Sequence, residues 1–154
     1  MNRRIHSVRE RQKRLHNILS RKNETRMEDF KKMEELLRTK IKDKATFENA
    51  MKMIENRNSL VSFYRKDVER IIRKGKSFSF IAGQQSILKK IKDPDKICGA
   101  MLLVESGNQD LEYISDLGEA LTESMGYDSE IIWASETKKG MKRTRLSLLL
   151  AYTD

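Results

Sequence analysis

The eight residues from Ile97 to Val104, ICGAMLLV, hold no polar side chain beyond the thiol of Cys98. An uninterrupted apolar run of this length suits a strand in the middle of a sheet. Ser77 to Ala82, SFSFIA, places Phe78 and Phe80 at the two-residue period of a half-buried strand. Glu130 to Ser135 and Thr144 to Tyr152 read as two further strands, joined by the charged loop ETKKGMKR. That short joint predicts an antiparallel hairpin between the last two strands, whereas strands separated by helices are free to run parallel.

Helical spacing fills the intervals. Val68, Ile71 and Ile72 share one face of Tyr64 to Lys74, and Gly75 follows as a stop signal. GQQSILKKIK reads as a helix ended by the Asp93-Pro94 turn. Leu111, Ile114, Leu117, Leu121 and Met125 repeat along Asp110 to Met125. Upstream, Phe30, Met33, Leu36, Leu37 and Ile41 mark one amphipathic helix, with Thr25 and Glu28 spaced as a capping box, and Phe47, Ala50, Met51 and Ile54 mark another. Residues 3 to 22 carry only a thin stripe, Ile5, Val8, Leu15, Ile18 and Leu19, too little to hold an isolated helix in water.

The pattern predicts an α+β two-layer sandwich, a mixed four-stranded sheet with helices on one face, preceded by a basic helical amino-terminal segment. The expected division is a basic arm over 1–26, connecting helices over 27–60 and the sandwich over 61–154. Because every strand and the strongest apolar runs fall after residue 45, residues 45–154 are expected to fold without what precedes them.

A chain of 154 residues supports one core of ordinary size. Its net charge of +9 is unevenly spread: 15 Lys/Arg against 7 Asp/Glu over residues 1–44, 11 against 4 over 45–92, and 6 against 12 over 93–154. Such polarity points either to an acidic partner or head-to-tail attraction between copies, or simply to solvated basic helix faces. The single cysteine, with no internal disulfide open to it, and the absence of an 18-residue apolar run predict a soluble, cytoplasmic protein. His6 and His16, the two histidines, have no Cys/His companions at metal spacing, and no Ser/His/Asp set can be assembled in the sandwich. No cofactor is expected.

Several segments resemble the carboxy-terminal domain of the FtsZ/tubulin family over about residues 45–154. Cys98 to Leu111 is similar to the family's strand and loop of the form GVLVNITGGPDL, with Gly99, Gly107, Asp110 and Leu111 matching and Asn108 replacing a glycine. Ile131 to Trp133 and Arg145 to Thr153 resemble two later strands, in the family's order. SLVSFYRKDVERIIRKGKSFSFIAG resembles the segment that holds the so-called synergy loop, which in the family reaches the GTP of the next subunit. There Ser62 stands where Asn is usual, Tyr64 stands where the first acidic residue is usual, and Asp67 matches the second. A phenol is neither ionised nor a comparable base at neutral pH, so half of the water-activating pair is missing. The family's glycine-rich phosphate loop has no counterpart, since none of the seven glycines lie two apart.

The resemblance implies a non-enzymatic interaction protein. It would dock on FtsZ or tubulin-like partners, or on itself, through Ser62, Tyr64, Arg65, Lys66 and Asp67, and would cap or modulate filaments. Asp67 has a plainer reading as a first-turn acid facing the helix dipole. An alternative function rests on the arm, whose Arg3, Arg4, Arg9, Arg11, Lys13 and Arg14 could neutralise phosphates of nucleic acid or an anionic surface.

Overall fold

The computed structural model describes residues 27–55, 59–108, 110–125 and 128–154. The basic arm and the Thr25 cap lie outside them. The described chain begins with helix α1 over residues 27–40, followed by α2, Lys44–Ile54. Asp43 caps α2, accepting from the Thr46 backbone N–H at 2.9 Å and its hydroxyl at 2.7 Å. There follow β1 (Ser59–Val61), α3 (Arg65–Lys74), β2 (Ser77–Gly83), 3-10 turns at Gln85–Lys90 and Pro94–Lys96, β3 (Ile97–Ser106), α4 (Leu111–Met125), β4 (Glu130–Thr137) and β5 (Arg145–Tyr152).

The α+β class and the mixed sheet are as the sequence predicts. The sheet order is β1-β4-β3-β5-β2, with the apolar β3 at its centre. The four expected strands form its continuous part, and the short β1 adds an antiparallel edge beside β4.

Two expectations are corrected. β4 and β5 do not pair with each other: β3 lies between them, parallel to β4 and antiparallel to β5. The most apolar strand gains most by taking neighbours on both edges, and the 138–144 loop is long enough to step across its end. The helices, moreover, lie on both faces of the sheet. Met33, Leu37, Ala50, Met53, Val68, Ile71 and Ile72 from α1–α3 pack against Met101, Leu103, Leu149 and Ala151. Ile114, Leu117, Leu121 and Met125 from α4, with Ile87, pack on the other face against Ala100, Leu102, Val104, Leu146, Leu148 and Leu150. Alternate residues of β3 and β5 thus feed two cores, so a strand without polar positions requires cover on both sides.

Residues 45–154 do not contain the whole core, because Leu37 of α1 is fully buried in the first of these clusters. The segment expected as a helix after β2 forms a 3-10 turn that buries Ile87. Gly75 ends α3 with φ −74° and ψ 141°, an extended conformation open to any residue. Its glycine is required by packing, since a Cβ there would lie 2.7 Å from the Phe78 ring and 2.9 Å from the Ala151 Cβ.

Candidate functional site

The residues singled out from the sequence converge on the start of α3. Tyr64 is the N-cap, in extended conformation with no side-chain cap bond, and 74% of it is exposed. A large aromatic so placed adds nothing to either core. Lys66 is also exposed, and Ser62 lies in the exposed approach to the helix. Arg65 and Asp67 differ. The Arg65 guanidinium donates to Asp29 of α1 at 2.9 Å and approaches Glu69 at 3.4 Å, which ties α3 to α1. Asp67 accepts from Arg70 at 2.8 Å, and it sits in the first helical turn as its plainer reading requires.

Arg70 continues into a second link. Its Nε donates to both oxygens of Glu130 at the start of β4, at 2.7 and 2.9 Å, and its Nη2 also contacts the same carboxylate. Lys74 joins at 3.1 Å. These cationic hydrogen bonds, Arg70 first, hold the Glu130 carboxyl below its ordinary value and raise Arg70 above its own. Lys66, Arg70, Arg73 and Lys74 line a shallow basic groove along the outer face of α3, with Glu69 in its wall. Arg73 and Lys74 extend the candidate surface beyond the residues read from the sequence; the i, i+4, i+7, i+8 spacing of Lys66, Arg70, Arg73 and Lys74 is the signal that could have found them.

At the far end of the sheet, Glu105 is buried and paired with Lys138 at 2.5 Å. That carboxylate raises the Lys138 pKa. The pair fastens the β4–β5 loop to the end of β3. Cys98 is half-buried, its Sγ 3.5 Å from the Ala151 carbonyl. Among the described residues no cluster of three or more His, Cys, Asp or Glu is placed to hold a metal, and no helix is long and apolar enough to cross a membrane. Arg3, Arg4, Arg9, Arg11, Lys13 and Arg14 lie outside the described residues.

The chain is a small α+β domain whose fold is found in part of solved FtsZ and CetZ structures. FtsZ from M. jannaschii, solved as an empty dimer, superposes with a TM-score of 0.56 at 16% identity, over 69% of this chain and 35% of that one. A tryptophan-to-tyrosine mutant of M. jannaschii FtsZ gives 0.56 at 15% identity over 68% and 36%. CetZ from Methanosaeta thermophila strain DSM 6194 gives 0.53 at 17% identity over 70% and 36%. The chain therefore shares the fold of part of these proteins and spans about a third of their length. No family model and no curated protein sequence matches it.

Proposed function

We propose that this protein is a non-enzymatic interaction module that docks on an FtsZ- or tubulin-like subunit, or on its own kind, through the exposed start and outer face of α3, and so caps or modulates filaments. The observation that carries the reading is Tyr64: an aromatic side chain 74% exposed, beside the exposed Lys66, on a fold shared with part of FtsZ and CetZ. Exposed aromatics next to cations are favoured anchors of protein interfaces. Lys66 and Arg73 would meet anionic groups of the partner, nucleotide phosphates included, with Tyr64 as the apolar anchor. Tyr64 and Asp67 do not form a water-activating pair, because one is a phenol and the other is held by Arg70.

Light scattering of a polymerising FtsZ tests this. A substoichiometric amount of the chain should slow or shorten the filaments, since only ends need be occupied, and Tyr64→Ala/Lys66→Glu should abolish the effect. Unchanged action by that double variant would overturn the α3 mechanism. Steeply salt-dependent binding to DNA or RNA with no action on filaments would transfer the function to the basic arm.

A further inference from the structure

The second face of the sheet carries an apolar groove, between α4 and β4, that no part of the described structure fills. Leu111, Ile131 and Trp133 line it, with Leu111 59% and Trp133 36% exposed. Gly118 opens it in the middle of α4, where an added Cβ would meet nothing within 4 Å. A glycine inside a helix, with open space beside it, weakens the helix without any packing return in the monomer. It does allow another chain to approach closely. Glu119 and Glu123 form the rim. α4 holds four acids, Glu112, Asp116, Glu119 and Glu123, and no Lys or Arg, and these acids are paired with no cation among the described residues. An apolar floor with an acidic rim calls for an amphipathic segment with cationic flanks.

We propose that the groove receives the basic amino-terminal tract, residues 3–22, of a second copy of this chain. Over residues 1–22 the sequence has eight Lys/Arg against one acid, with Ile5, Val8, Leu15, Ile18 and Leu19 on one helical stripe. As a helix, Ile5 to Leu19 would match α4 in length, 15 residues each or about 22 Å at 1.5 Å per residue. The thin stripe that cannot hold a helix alone would be ordered by the groove. A second copy is the fitting donor because α1, into which the tract leads, packs on the opposite face of the sheet. Docking of this kind is heterologous, each copy offering one tract and one groove, so it builds rings or chains.

Trp133, the chain's single tryptophan, reports on the groove directly. In the full-length protein its emission should shift to shorter wavelength as concentration rises, in step with larger species in sedimentation, and both effects should reverse at high salt. Leu15→Glu/Ile18→Glu should lose the shift. Gly118→Leu should lose the association, and because leucine is the better helix former this loss cannot be put down to a weakened helix. Glu119→Lys/Glu123→Lys should also remain monomeric alone. Mixing the arm variant, whose groove is intact, with a Gly118→Leu copy, whose arm is intact, should restore about half of the shift. A shift independent of concentration would assign the groove to the same molecule's tract and overturn the second-copy proposal. A protein that stays monomeric with unshifted emission at all concentrations would overturn the docking itself. Neither result would bear on the α3 surface, which lies on the other face.

Discussion

The carbonyl oxygen of Met141 lies 2.4 Å from where a Cβ on Gly107 would stand. This approach is what allows the β4–β5 loop to cross the end of β3. Lys138 N–H donates to the Ser106 carbonyl at 2.9 Å, the Lys138 ammonium pairs with Glu105, and the loop then passes over Gly107 to start β5 on the far side of β3. The order β4-β3-β5 depends on that passage.

Gly107→Ala should therefore destabilise the protein by about 1–3 kcal/mol, the cost typical of overpacking, because the obstacle is backbone and cannot rotate away. Gly118→Ala should do the reverse and stabilise α4 by roughly 0.5–1 kcal/mol, since no atom stands near the new methyl group. Urea denaturation of the two variants checks both signs. Equal effects would show that the loop yields, and that the strand order does not rest on this contact.

Most strands and helices were legible in the sequence because their signal is local, whereas the three-residue β1 was not and the Gln85–Lys90 segment, read as a helix, is a 3-10 turn. Phe78 and Phe80 alternate, and Leu111 through Met125 repeat at helical spacing. Strand order was not legible, since it depends on which distant strand a given edge meets. The short loop between β4 and β5 pointed to a hairpin, yet β3 offered more apolar contact between them. At the candidate site, the positions of Tyr64 and Lys66 could be read from the helix pattern. The engagement of Arg65 with Asp29, and of Arg70 with Glu130, could not, because those partners lie 36 and 60 residues away in the chain. Gly75 was legible as a helix end but for another reason: its neighbours Phe78 and Ala151 leave no room for a side chain.

Leu37 predicts where the chain can be shortened. It is fully buried, with Met33 and Ile41 close behind, so α1 is part of the core. A chain starting at residue 27 should keep a cooperative thermal transition, and one starting at residue 45 should lose it. Leu37→Ala in the full chain should cost about 2–5 kcal/mol. A cooperative melt of residues 45–154 would show that the sheet holds without this helix.

Glu130 carries a pH dependence of known sign. Its pKa is lowered from 4.5 by Arg70 and, less, by Lys74, so the stability it contributes is present above that ordinary value and is lost as pH falls through the lower folded one. Glu130→Gln should be less stable than the parent at pH 7, and the gap between them should close on acidification below about pH 4. Urea midpoints at pH 7 and pH 3 provide the comparison. A gap that stays constant would mean that the Arg70 link contributes through shape rather than charge.

Arg65 and Lys66 are adjacent cations with different work, and charge reversal should separate them. Arg65 sits 2.9 Å from Asp29 and 3.4 Å from Glu69, its side chain mostly buried, so Arg65→Glu sets a carboxylate against two others and should lower the melting temperature by several degrees. Lys66 is exposed and forms no ion pair among the described residues, so Lys66→Glu should leave the melt within about 0.5 kcal/mol of the parent. On a polymerising FtsZ the order should invert for the specific effect. Lys66→Glu should lose most of the inhibition while fully folded, whereas Arg65→Glu should lose it only in proportion to its unfolded fraction and recover it at lower temperature. If Lys66→Glu inhibited as well as the parent, while Arg65→Glu remained inactive when folded, the contact would run along the α1–α3 seam and not over the outer face of α3.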